Sequence, residues 1–156
     1  MTKASPVTGF DDLPGHYIRR LQQIAVGIFL DETEALNVTP VQFALLSAAA
    51  RQAGLDQRTL ARRIGLDTST IGALVDRLES RGLVERKVST EDKRVRLLSV
   101  TPDGHALLQQ VMPAVMRAQD RMLGPLPRAE RAQFMAMVKR IVDENNHLSR
   151  AAKAVD

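Results

Sequence analysis

Apolar residues recur along this chain mostly at three- and four-residue steps, the spacing of helices, and give way to strand character in one region only. From Leu13 and Pro14, the positions Tyr17, Leu21, Ile24, Ala25, Ile28 and Phe29 line one side of a long amphipathic helix that reaches Leu36, with Asn37 as its stop. Thr39 followed by Pro40 pairs a capping residue with a first-turn proline, so a second helix begins there and carries Phe43, Leu45, Leu46, Ala49 and Ala50 toward Ala53 and Gly54. Asp56 caps a short third helix with Leu60, Ala61 and Ile64 facing inward and Arg58, Arg62 and Arg63 outward, and Gly65 supplies the tight turn after it. Asp67 caps a fourth helix with a buried stripe of Ile71, Leu74, Val75 and Leu78, closed by Arg81 and Gly82. Two helices of this size joined by a short glycine-containing turn predict a helix-turn-helix.

Beyond Leu83 the segments VERK and VRLLSV have strand character and are separated by the polar VSTEDKR, which predicts a β-hairpin. Thr101 and Pro102 repeat the cap-plus-proline signal and open a long helix in which Pro113 should produce a kink or a local break. Gly124, Pro125 and Pro127 mark a turn, and a last helix to about Asn145 carries Phe134, Met137, Val138, Ile141 and Val142 on one side, followed by a frayed end. The fold class is therefore mainly α with a small β-hairpin wing: a winged helix-turn-helix framed by long N- and C-terminal helices. Residues 1–12 form a flexible arm, 13–36 plus 102–146 the framing helices, and 39–101 the winged lobe. Each framing helix has an apolar stripe wider than one neighbour can cover. Burial against the same helices of a second copy, in a homodimer, is the simplest solution, with a monomeric bundle as the alternative.

Composition removes several classes of function. The 156 residues suffice for one compact unit, and 3% aromatics is too few for a platform that stacks single-stranded bases. The absence of cysteine excludes disulfides, thiol redox sensing and thiolate metal sites. The longest apolar run, Ile24 to Leu30, is seven residues, too short to span a bilayer, and the first dozen residues lack a signal-peptide core. The expectation is a cytoplasmic, nucleoid-associated protein without a membrane partner.

The distribution of charge suits a polyanion partner, and would also fit a solvated face. Of the net +4, residues 1–55 contribute four Lys/Arg against five Asp/Glu, residues 56–100 ten against seven, and residues 101–156 eight against six. The middle third, which holds the helix-turn-helix and hairpin, is densest in cations.

Within it, Thr68, Ser69 and Thr70 stand where unpaired helix amides and short hydroxyls suit phosphate or base edges, although Ser and Thr also favour first turns for local reasons. Arg77 lies two turns on, within reach of a guanine edge or a phosphate, and it equally suits a solvated basic face with Arg81. Gly72 and Ala73 offer no large polar group, so readout leans on thymine methyl contacts and DNA shape. Arg94, at the hairpin tip, gains nothing from a core and suits a narrow minor groove. Arg86, Lys87, Lys93 and Arg96 are phosphate contacts or solubilising charges, and Arg58 on the third helix is a further DNA contact. On the first helix, His16 and Arg20 are one turn apart beside Arg19 and could hold a carboxylate together, or serve a surface or interface. His105 and His147 have no companion at metal spacing, and no phosphate loop, GxSxG or isolated carboxylate pair is present, so no metal site, cofactor or catalytic residue is expected.

The run GLVERKVSTEDKRVRLLSVTPDG from Gly82 to Gly104, with TSTIGALVDRLESRGLV before it, resembles the MarR family of bacterial transcriptional regulators. TPVQFALLSAAA and the closing long helices fall in the same order, so the resemblance extends over almost the whole chain. Its most specific parts are Leu83-Val84-x-Arg86, the Asp92-Lys93-Arg94 tip, and Leu97-x-x-x-Thr101. The resemblance implies a dimer that binds a pseudo-palindromic double-stranded DNA operator, usually represses, and is released by a small aromatic or phenolic carboxylate or its thioester. It further implies that Arg77 contacts DNA, that Asp92 orients an arginine by a charge-assisted hydrogen bond, and that the ligand cleft opens near His16, Arg19 and Arg20. The alternative is a winged-helix protein-interaction module without sequence-specific DNA binding. A DNA reader should carry a basic face along Arg58, Arg77 and Arg94, and a protein docker an apolar patch.

Overall fold

A computed structural model describes residues 9–149. After a 3-10 turn at Phe10–Asp12, α1 spans Pro14–Thr33 and continues as a 3-10 turn, Glu34–Leu36. The lobe comprises α2 (Pro40–Arg51), β1 (Leu55–Asp56), α3 (Gln57–Ile64), α4 (Ile71–Ser80), β2 (Val84–Val88) and β3 (Arg96–Val100). It is followed by α5 (Pro102–Leu123), α6 (Arg128–Asn145) and a 3-10 turn, Asn146–Leu148. The frayed end expected after Asn145 lies mostly outside the described residues, as does all of the expected arm before Gly9; Phe10–Asp12, also expected in that arm, form the first turn.

Local chemistry sets these boundaries. Thr39 accepts a bond from the Gln42 N–H while the Gln42 side chain accepts from the Thr39 N–H, a reciprocal capping box that fixes the start of α2. Asp56 Oδ1 accepts from the Thr59 N–H at 2.9 Å and Thr101 Oγ1 from the Gly104 N–H at 3.1 Å, so the expected caps of α3 and α5 are present. Asn37 ends the first helical segment in the left-handed region, at φ 49°. That segment is α-helical only to Thr33, whose hydroxyl lies 2.8 Å from the carbonyls of both Phe29 and Val38; the last turn tightens to 3-10 as the chain bends into α2.

Three expectations need correction. The sheet has three strands rather than two, in the order β1-β3-β2, with Leu55 opposite Leu98 and Arg86 opposite Leu98 on the other side. The fourth helix starts at Ile71, because Asp67 does not cap it: its carboxylate accepts from the Ser69 N–H and its carbonyl from Thr70, holding residues 68–70 in a turn. Finally, of the kink or local break expected at Pro113, the break is absent: α5 runs as one helix to Leu123.

The main core lies inside the lobe, where Leu45, Leu60, Leu78 and Leu98 are fully buried with Val75 and Val84. Each such leucine contributes on the order of 1.5–3 kcal/mol relative to an exposed one. All four residues of the predicted α4 stripe are in it. A smaller core of Phe29, Val38, Val111 and Val115 joins α1 to α5, and Leu107 touches both. Outside it, Arg121 meets Asp31 at 2.6 Å and Glu32 at 2.7 Å, and Arg117 meets Glu32 at 2.9 Å. These two guanidinium groups hold the Glu32 carboxyl below its ordinary pKa, Arg121 most strongly. By contrast α6 buries none of its residues, and Leu13, Tyr17, Ile18, Leu21 and Ile24 of the α1 segment are also uncovered. No helix among the described residues is long and apolar enough to cross a membrane.

Candidate nucleic-acid interface

The turn before α4 presents Thr68, Ser69 and Thr70 to solvent, and Arg77 is exposed further along the helix. Thr70, Ala73 and Arg77 border a shallow hollow of about 250 Å³ with Val41, Leu66 and Leu74. Its lining is apolar apart from Thr70 and Arg77. The far end of the helix is closed tightly: Gly82, at φ 71°, donates to the Glu79 carbonyl at 2.8 Å and Leu83 to the Leu78 carbonyl at 3.0 Å. The wing therefore leaves α4 at a fixed angle.

The wing tip has its own internal order. Ser89 Oγ accepts from the N–H groups of Glu91 and Asp92, and Ser89 and Val95 close the loop through an N–H to carbonyl bond of 3.0 Å. Within it Asp92 takes three bonds from Arg94: the backbone N–H at 2.9 Å, Nε at 3.2 Å and an Nη at 3.3 Å. This pairing, side chain first, lowers the Asp92 pKa below its ordinary value. The Arg94 side chain is nevertheless 91% exposed, so the carboxylate steers the arginine without enclosing it. Lys93 is exposed beside it, and its carbonyl accepts from Arg96 at 3.0 Å.

A groove of about 660 Å³ runs from the start of α3 to this tip, lined by Arg58, Arg62, Arg94 and Arg96 with Asp56, Gln57, Thr59 and Val95. It brings together Arg58 and Arg94, which are 36 positions apart in sequence, and adds Arg62 and Arg96. Arg62 was legible only as an outward-facing residue of α3; its place in the groove depends on the third strand, which seats α3 beside the wing. Asp56 carries a negative charge here but is committed to the α3 cap. Burial alone would raise its pKa, and hydrogen bonds from Thr59 and the adjacent backbone outweigh that and lower it.

Arg86 does something different from the expected phosphate contact. Its guanidinium is held by Asp76 at 2.7 Å and Glu79 at 2.5 Å, both on α4, and its side chain is only 28% exposed. Glu79 contributes most to raising the Arg86 pKa and is itself lowered by Arg86. Two carboxylates match this charge and would repel a phosphate, so Arg86 braces the wing against α4. The remaining predicted group lies elsewhere. His16 stands edge-on to Phe10 and Tyr17 at ring separations of 5.3 and 5.7 Å, and Arg19 and Arg20 are exposed on the same helix.

Comparison with known proteins agrees with this geometry. Residues 36–95, from the end of the first helical segment to the wing, match the model of the MarR family. A transcriptional regulatory protein for the hcr operon of Thauera aromatica is 33% identical over 133 residues, 85% of this chain and 80% of that relative. The chain belongs to the MarR family. Among solved structures, the Bordetella bronchiseptica regulator BpsR, whose DNA binding is regulated by 6-hydroxynicotinic acid, superposes with a TM-score of 0.82 at 27% identity, covering 87% of this chain and 97% of that one. The repressor CouR, bound to a 23-mer DNA duplex, superposes with a TM-score of 0.80 at 29% identity, covering 88% and 99%. This MarR-family chain is thus a transcriptional regulator with a winged-helix DNA-binding fold.

Proposed function

We propose that this regulator is a homodimeric repressor that binds a pseudo-palindromic operator through α4 and the wing, and is released by a small aromatic or phenolic carboxylate or its thioester. The observation that carries the reading is the arginine groove: Arg58 and Arg94 converge there with Arg62 and Arg96, while Arg77 borders the separate hollow on α4. A protein-docking wing would present an apolar surface there. Thr68, Ser69, Thr70 and Arg77 face the major groove, Arg94 enters the minor groove, and Arg58 and Lys93 meet phosphates. A homodimer gives the uncovered apolar faces of α1 and α6 a partner and sets two copies of α4 about 34 Å apart, one helical turn of DNA.

The effector class rests on two supports. BpsR responds to 6-hydroxynicotinic acid, an aromatic acid, and here His16 already sits in an aromatic cluster next to Arg19 and Arg20. Aromatic edges with cations one turn away suit a planar carboxylate. Induction follows when the ligand binds better to a dimer whose α4 helices are wrongly spaced for successive major grooves. Anisotropy titration against the DNA upstream of its own gene, beside random duplex of equal length, tests the core of this reading. Operator binding about a thousandfold tighter is expected, the lower end for specific regulators; equal affinities would refute it.

A further inference from the structure

The corner that ends α4 carries a side chain with no assigned role. Arg81 reaches 44 residues back in sequence: Nη1 donates to the Asn37 carbonyl at 2.8 Å and Nη2 to the Leu36 carbonyl at 3.4 Å. Both carbonyls belong to the end of the α1 segment, where helix carbonyls lack N–H partners and carry partial negative charge. The turn they sit on is rigid. Asn37 donates to the Glu34 carbonyl at 3.1 Å, the buried Thr33 hydroxyl lies 2.8 Å from the Val38 carbonyl, and Val38 packs in the α1–α5 core.

The other end of the tie is equally fixed. The Arg81 N–H donates to the Arg77 carbonyl, and Gly82 and Leu83 close the helix behind it. Arg81 therefore spans two stiff bodies, the α1–α5 frame and α4, and does so with a planar fork that two carbonyls fill.

We infer that Arg81 is a positioning residue for the DNA reader: it locks the orientation of α4 to the end of α1, so that a displacement of the framing helices is passed to the recognition helix. This rests on the reading of α4 as the DNA reader. It assigns the arginine to the protein's own backbone and not to a phosphate, which is the obvious use of an exposed arginine beside a DNA-binding helix. The two roles differ in their salt dependence, because a phosphate contact displaces counterions and an internal tie does not.

Full-length wild type, Arg81→Ala and Arg81→Lys are compared on the upstream duplex and on random duplex across a salt series, with thermal unfolding in parallel. For Arg81→Ala we expect operator affinity to fall roughly five- to tenfold, with random-duplex affinity and the salt slope unchanged. Lysine should fail to restore it, since an ammonium cannot reproduce the two-pronged contact. A salt slope shallower by about 0.9 that lysine restores would make Arg81 a phosphate contact and overturn the inference. Unchanged operator affinity, or equal losses on both duplexes, would overturn it too.

Amide hydrogen exchange on the free variants keeps the test independent of DNA. Faster exchange at both 34–38 and 78–83 in Arg81→Ala supports the tie, and unaltered exchange at 34–38 refutes it. If wild type does not distinguish the duplexes, the reader assignment fails while the exchange result still decides whether Arg81 joins the two bodies.

Discussion

Arg94 projects from the wing with three of its nitrogens on one carboxylate, an arrangement that restricts the guanidinium before DNA arrives. With the minor-groove insertion proposed above, less rotamer freedom then remains to be lost. Arg94→Ala should weaken operator binding and lower the magnitude of the salt slope by about 0.9, measured by anisotropy across a salt series. An unchanged slope would remove Arg94 from the interface. Gly104 poses the opposite problem. A Cβ there would lie 2.1 Å from the Leu83 carbonyl oxygen and 2.6 Å from Val100 Cγ1. That carbonyl already accepts from the Thr101 N–H at 3.1 Å, so it cannot retreat without losing a bond. Gly104→Ala should cost roughly 1–3 kcal/mol, seen as a lower urea midpoint at constant m. At this scale the sequence showed that Arg94 is exposed and charged. It did not show that Arg86, a residue of the same type eight positions earlier, is claimed by Asp76 and Glu79, because that pairing depends on the packing angle between wing and helix.

Among the elements, those whose ends are set by side chains within three residues were legible: α2 by Thr39, α3 by Asp56 and α5 by Thr101. The start of α4 was not, since an aspartate that caps a helix and one that bonds two residues ahead in a turn have the same local sequence. The two-residue β1 had no periodicity to read and exists only because β3 offers it a free edge. Element-to-element ion pairs also carry a pH signature. Glu32 and Glu79 have folded-state pKa values below the ordinary 4.5, chiefly through Arg121 and Arg86 respectively. Such groups bind protons more weakly folded than unfolded. Their contribution is complete above the ordinary value and disappears as pH falls through the lowered one. The thermal midpoint should therefore decline on acidification below 4.5, and Glu79→Gln should make that decline shallower. A decline as steep as wild type would show that the Arg86 brace does not contribute.

For the whole molecule, the decisive quantity is apolar surface. Met135, Met137, Ile141 and Val142 of α6 and Tyr17, Ile18, Leu21 and Ile24 of α1 are all uncovered in the single chain. The periodicity of both helices announced an apolar face, but a pattern of this kind does not distinguish an internal neighbour from a second copy. With the homodimer proposed above, a charge placed in that surface should separate the subunits. Ile141→Asp is expected to move the protein from dimer to monomer in sedimentation velocity and to abolish operator binding, while wild type sediments as a dimer. A dimeric Ile141→Asp protein would place the interface elsewhere.

That none of the eighteen residues of α6 is fully buried within its own chain carries one more consequence. When part of a fold is completed only by association, dilution becomes a denaturant: in the dissociating range, each tenfold drop in concentration lowers the stability of the assembled state by about 1.4 kcal/mol. With the homodimer proposed above, newly made subunits would be the most exposed to proteolysis when copies are scarce.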